Sequence, residues 1–224
     1  MRCGKLQKAA SKVVSRMSSP KPYTLSSKVV RKAESFLSQS CKVMARLIVV
    51  HGPCQLANRE FHPFHALTTA IISQQLSSKA ADMIKHRVLE LVPTFCPSGF
   101  LAVPIEVLRE AGLSSAKAKY IIELSMQVSD GRLNFDALRY MSDDDIITRL
   151  TKLSGVGRWT AEMFLIFGLK RPDVLALGDA GLHRAARLLY GDTTVLESIG
   201  QAWKPYCSVA SWYLWRHLDS DAAT

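Results

Sequence analysis

The residues best suited to chemistry lie within 153–179, LSGVGRWTAEMFLIFGLKRPDVLALGD. Leu153, Gly155 and Gly157 form an L-x-G-x-G turn between two helical patterns. Such a turn leaves backbone N–H groups bare at a helix N-terminus, where a phosphate can sit. Pro172 must end or kink the second helix, and an apolar run over 174–177 then leads to one carboxylate, Asp179, at the head of the next helical pattern. Asp at that place caps a helix by accepting a backbone N–H. The same carboxylate could stabilise a developing positive charge or orient a water. A phosphate clamp followed by a lone acid suggests chemistry on DNA. Asp173 is the rival acid, and its place in R-P-D-V assigns it to bracing the loop.

These residues need elements to hold them. Ser142-Asp143-Asp144-Asp145 has the S-x-x-D shape of a capping box and opens the first helix of a hairpin, about 143–153. Its partner runs from about Gly157 to Gly168, burying Ala161, Phe164, Leu165 and Gly168, so the hairpin spans about 143–168. After Asp179 the helix LHRAARLLY stops at Gly191, and two more follow, from Thr194 to about Trp203 and from Tyr206 to about Leu218. Upstream, the apolar spacing of Val30, Ala33, Phe36, Leu37, Met44, Leu47 and Ile48 predicts a helix from Ser27 that Gly52 and Pro53 stop. A helix over 63–72 follows, with Pro63 suited to its first turn. His62 and His65 lack a further ligand nearby and suit surface or capping roles.

Residues 73–77, SQQLS, break two helices, and Ser77 or Ser78 can cap the second. The prolines and Gly99 of 93–104 mark a loop with at most a short helical turn. A brief helix over 107–112 and a longer one opened by Ser114 come next, the latter carrying Lys117 and Lys119 near its start on what reads as solvated surface, contact with DNA being the alternative. No stretch shows clear strand alternation, so the fold should be all-α.

Hydrophobic residues make up 48% of the 224, enough for a substantial core. No run of about 18 apolar residues occurs, so a spanning helix is excluded. The formal charge of +10 is concentrated in residues 1–33, which hold nine Lys or Arg and no acid, leaving 20 basic against 19 acidic residues elsewhere. DNA binding by the folded part must therefore rest on local donors. Residues 1–26 read as a basic, disordered tail that adds affinity for phosphates, an organelle transit peptide and an ordered helix docked on the domain being the rivals, and 27–224 as the folded domain. Cys3, Cys41, Cys54, Cys96 and Cys207 are scattered, with no C-x-x-C, which argues against a disulfide scaffold or structural zinc.

The stretches LSGVGRWTA (153–161), RPDV (171–174) and GDAGL (178–182) resemble the helix-hairpin-helix DNA glycosylases, specifically the 3-methyladenine DNA glycosylase II group, over roughly residues 40–217. The resemblance implies two helical lobes with a cleft between them. It implies a monofunctional enzyme that flips an alkylated purine such as 3-methyladenine or 7-methylguanine out of double-stranded DNA and releases it with water, as a monomer in a bacterial nucleoid or a nucleus. Asp179 would be the catalytic carboxylate, and Trp159 and Trp215 the electron-rich walls around a cationic base. DNA contacts would come from Gln74, Gln75 and Leu76, with Gln75 or Leu76 filling the gap left by the extruded nucleotide, and from Gly155, Gly157, Arg158 and Thr160. Trp159 stands where strand-cleaving relatives carry a lysine nucleophile. With Cys207 the only C-terminal cysteine, the iron–sulfur branch is left out and no cofactor is expected, though the family's hairpin can hold a monovalent cation. Ser154 and Ala176-Leu177 depart from the family pattern, which has proline at the first place and in the approach to the acid. The rival function is a non-catalytic DNA-binding module in which Asp179 only caps.

Overall fold

The computed structural model describes residues 24–58 and 62–221, and the proposed basic tail falls largely outside them, over residues 1–23. Ordered packing begins ahead of residue 27, because Leu25 is buried and its amide donates to Lys170 O at 2.8 Å. All regular structure among the described residues is helical. In chain order the helices are α1 (Ser27–Ser40), α2 (Lys42–His51), α3 (Pro63–Ser73), α4 (Ser78–Leu91), α5 (Pro97–Leu101), α6 (Ile105–Glu110), α7 (Ser115–Ser129), α8 (Phe135–Leu138), α9 (Asp143–Leu150) and α10 (Arg158–Met163). A π-helical turn (Phe164–Gly168), α11 (Ala180–Tyr190), α12 (Leu196–Gly200), a 3₁₀ turn (Gln201–Trp203) and α13 (Cys207–Asp221) complete the chain.

Serine caps define most of the starts that matter: Ser26, Ser77, Ser114 and Ser142 each accept a backbone N–H two or three residues inside their helix. The single helix expected over 27–52 is two, because Cys41 adopts an extended φ of −148° and ψ of 116° between α1 and α2. Half of the capping box at Ser142 forms: Ser142 Oγ accepts from Asp145 N at 3.2 Å, but Asp145 Oδ2 accepts from the Ser142 hydroxyl at 2.6 Å in place of the Ser142 backbone N–H. The helix after it ends at Leu150, one turn earlier than the apolar pattern suggested.

At the centre lies α3, apolar nearly all round, which packs against the π turn, α10, α4 and α7. Its Phe64, Leu67, Ile71 and Ile72 are fully enclosed, and truncating Phe64 to alanine would cost about 3–5 kcal/mol. On the other side α13 packs against α11, α2 and α1. Tyr213 fixes it there by donating to Glu34 Oε1 at 2.8 Å, within reach of Gly52 O at 2.9 Å. Glu34 Oε1 also accepts from Cys54 N at 2.7 Å, which stitches the end of α2 to the same point. This anchoring sets the height of α13, and with it the place of Trp215.

Candidate active site and nucleic-acid interface

Asp179 is the N-cap of α11, its Oδ1 accepting from Leu182 N at 2.7 Å. It is only 8% exposed, although Leu177, Gly178 and Ala180 around it are open to solvent. Two further donors converge on the carboxylate. Trp159 Nε1 donates to Oδ2 at 2.7 Å, and Trp215 Nε1 donates to Oδ1 at 3.0 Å. A helix cap needs only the backbone bond; the two indoles come from α10 and α13 and are extra. Three N–H groups hold the carboxylate in one orientation, and Oδ2, with a single donor, keeps capacity to face a water or a developing positive charge.

The approach to Asp179 is braced from both sides. Ser208 Oγ donates to Arg171 O at 2.7 Å and accepts from Val174 N at 3.0 Å, and Asp173 Oδ1 accepts from Cys207 N at 3.2 Å. Asp173 therefore ties the loop to the start of α13. Arg171 closes on the hairpin, pairing with Asp143 at 3.1 Å and donating to Arg139 O and Met141 O at 3.1 and 2.9 Å. Burial pushes the Asp143 carboxyl up from its usual range, against the pull of Arg171. His183 of α11 meets Leu177 O at 2.7 Å and holds the end of the loop.

The indoles sit differently from a simple pair of walls. Their N–H edges are committed to Asp179, and one side of Trp215 lies against Phe167, ring centroids 5.7 Å apart at 32°. Both tryptophans are half-buried, so part of each ring stays exposed while the N–H edge holds the acid. If the chain releases bases, as the sequence resemblance implies, Trp159→Phe, which keeps the ring and deletes the N–H, is expected to lower single-turnover release about tenfold or more, since a hydrogen bond to a charged group contributes about 1.5–3 kcal/mol. Trp215→Phe should cost less, because Oδ1 retains Leu182. Equal rates for Trp159→Phe and the wild type would show that the indole N–H is idle.

The hairpin turn between α9 and α10 contains Gly155 at φ +73° and Gly157 as N-cap at φ −88°. Val156 N returns to Leu153 O at 3.1 Å, which closes the turn. Arg158 is exposed and pairs through Nε with the buried Glu162 at 2.9 Å. Gln74 and Thr160, expected to touch DNA, are occupied inside the protein: Gln74 Nε2 donates to Gly155 O at 2.7 Å and to Thr160 Oγ1 at 2.8 Å, and Thr160 is buried. Their side chains tie the α3–α4 turn to the hairpin. Gln75 and Leu76 project from that turn into solvent. Gly155 O and Leu153 O, two carbonyls a cation could use, each already accept a hydrogen bond.

Glu162 was not singled out from sequence, although its i,i+4 spacing from Arg158 is legible there. Burial raises its carboxyl above the usual range, opposed by the Arg158 bond and reinforced by the charge of Asp179. Among the described residues no group of three or more His, Cys, Asp or Glu is arranged to hold a metal ion. Two surface cavities of about 350 and 500 Å³ share His62, Pro63 and Arg139, and neither is lined by Asp179 or its indoles. His62 itself caps α3, accepting from Phe64 N at 3.3 Å, and His65 lies against the Phe95 ring at 4.3 Å.

With this geometry in place, residues 68–203 match the profile described as HhH-GPD superfamily base excision DNA repair protein. The chain belongs to the HhH-GPD superfamily. Among relatives, a Bacillus subtilis putative DNA-3-methyladenine glycosylase is 30% identical over 71% of this chain, which spans 60% of that protein's length. A crystal structure of a DNA-3-methyladenine glycosidase from Bacillus halodurans is similar at 38% identity and TM-score 0.66, covering 86% of this chain and 91% of the other. The Schizosaccharomyces pombe 3-methyladenine DNA glycosylase in complex with abasic DNA is similar at 29% identity and TM-score 0.71, over 83% of this chain and 95% of that one. Within the HhH-GPD match fall the α3–α4 turn, the hairpin and Asp179; Trp215 lies beyond it.

Proposed function

We propose that this HhH-GPD protein is a monofunctional DNA glycosylase that removes alkylated purines of the 3-methyladenine and 7-methylguanine type from duplex DNA, the first step of base excision repair. The observation that carries the reading is the convergence of Trp159, Trp215 and Leu182 N–H groups on the one carboxylate that caps α11. Similarity to proteins named as 3-methyladenine glycosylases supports the substrate class. The damaged nucleotide is extruded at a cost of a few kcal/mol, with Gln75 or Leu76 entering the gap. Amides around Gly155 and Gly157 and the Arg158 guanidinium hold the neighbouring phosphates. Alkylation at a ring nitrogen makes the base a cation and a good leaving group. As the bond to C1′ breaks, the electron pair leaves with the base, and the positive charge on the sugar is met by the Asp179 carboxylate, which orients the water that adds there and takes the proton that water gives up.

The test is release of free methylated base from methylated duplex DNA, with Asp179→Asn as control. A non-catalytic binding module would hold the duplex and release nothing. Because Trp159 cannot form a Schiff base, borohydride added during turnover should trap no covalent protein–DNA adduct. A trapped adduct would reveal a lysine nucleophile elsewhere and overturn the monofunctional assignment.

A further inference from the structure

The α3–α4 turn is held in a conformation its sequence does not favour. Gln74 has φ −52° and ψ 131°, Gln75 has φ +56°, and Leu76 N returns to Ser73 O at 3.3 Å. These are the marks of a type II turn, whose third residue is ordinarily glycine. A glutamine there is strained and persists only where its surroundings impose it.

The constraint comes from α7. Lys117 Nζ donates to Ile72 O at 2.8 Å and to Gln74 O at 2.6 Å, reaching across 45 and 43 residues of sequence. The first is a carbonyl in the last turn of α3, without an onward helical partner, and the second lies inside the turn. Burial pulls the ammonium below its usual range, a cost it bears because both contacts are charge-assisted. One helical turn on, Tyr120 packs its ring against the hairpin so closely that a Cβ on Gly155 would lie 2.0 Å from Cδ2. Gln74 closes the circuit, its amide bridging to Gly155 O and Thr160 Oγ1. The same face of α7 therefore seats both loops that the proposed function brings to DNA.

We infer that Lys117 is a positioning residue for base extrusion: with Tyr120 it makes α7 a splint that fixes the Gln75–Leu76 projection in register with the Gly155 hairpin. This rests on the glycosylase reading for its consequence in catalysis, though not for its effect on DNA structure. Once the nucleotide is out, Lys117 contacts no reacting atom. Its loss should slow extrusion and spare the bond-breaking step.

The variant is Lys117→Met, which keeps the stem and removes the ammonium. Two readouts apply. In the first, 2-aminopurine beside an abasic analogue in a duplex reports unstacking when saturating protein inserts a side chain, and Lys117→Met should lose most of the wild-type fluorescence gain. In the second, single-turnover release of 7-methylguanine is compared between a site paired with cytosine and a single-nucleotide bulge, where extrusion is already largely accomplished. Release from the paired site should fall roughly 10- to 100-fold and from the bulge less than about threefold. Lys117→Arg should recover part of the paired-site rate. Equal losses at both sites, or an unchanged fluorescence gain, would overturn the inference. Release from neither substrate by the wild type, with the fluorescence difference intact, would sink the glycosylase reading and leave the splint standing. If Lys117→Met does not fold, Gln74→Met breaks the bridge from the hairpin side and should give the same signature.

Discussion

Asp179→Asn is expected to lower release of 3-methyladenine and 7-methylguanine by on the order of 10³-fold while duplex affinity changes little. The substitution removes the negative charge, which in the proposed mechanism opposes the cationic sugar. It also sets an amide against an indole. If the Asn oxygen keeps the bonds from Leu182 N and Trp215 Nε1, its NH₂ group faces the Trp159 N–H that Oδ2 now accepts at 2.7 Å, donor against donor. The ring or the amide must turn away. Stability should fall by only about 1 kcal/mol, because Asn caps a helix about as well as Asp. Folding and chemistry are thereby separated, which Asp179→Ala would not achieve. The rate is read by chromatography of released bases under single-turnover conditions, and affinity by fluorescence anisotropy on a duplex with an abasic analogue. Release within about tenfold of the wild type would end the assignment of Asp179 as the catalytic group. Parallel loss of affinity would mean that the carboxylate serves the shape of the site more than the reaction.

Much of this site could be read from residue order because short-range chemistry writes it there. The glycine spacing at 155 and 157, the S-x-x-D box at Ser142 and the acid ahead of α11 are local signals, and each element formed within a few residues of its expected place. What escaped is long-range. The indole N–H bonds to Asp179 join residues 20 and 36 apart in sequence, so the tryptophans were legible as aromatic faces and not as donors. Lys117 read as solvated surface because nothing near it in sequence reveals the carbonyls it meets 43 and 45 residues back. Gln74 read as a DNA contact for the same reason; its partners Gly155 and Thr160 are visible only once α3 and the hairpin are packed. The π turn at Phe164–Gly168 was also missed, since helical spacing of apolar residues does not distinguish a five-residue return from a four-residue one.

Among the described glycines, Gly155→Ala should be the most damaging substitution by alanine. The backbone at Gly155 has φ +73°, which costs an alanine about 1–2 kcal/mol. The new Cβ would fall 2.0 Å from Tyr120 Cδ2 and 2.4 Å from Cγ, inside any contact distance. The obstacle is the root of a ring on α7, not a side-chain tip that could swing aside, so overpacking adds about 1–3 kcal/mol. Together these predict a melting temperature lower by roughly 5–15 °C by calorimetry. Relief requires the hairpin to lift from Tyr120, which pulls Gly155 O from Gln74 and disturbs Trp159, so duplex affinity and base release should both fall at least about tenfold. Gly157→Ala provides the contrast. Gly157 has φ −88° and nothing within 4 Å of an added Cβ, so its melting temperature should hold. If DNA backbone seats against this turn, the Gly157 methyl would meet the duplex instead, and affinity should drop without loss of stability. A Gly157→Ala protein that binds duplex like the wild type would place the phosphates elsewhere and remove the hairpin from the proposed interface.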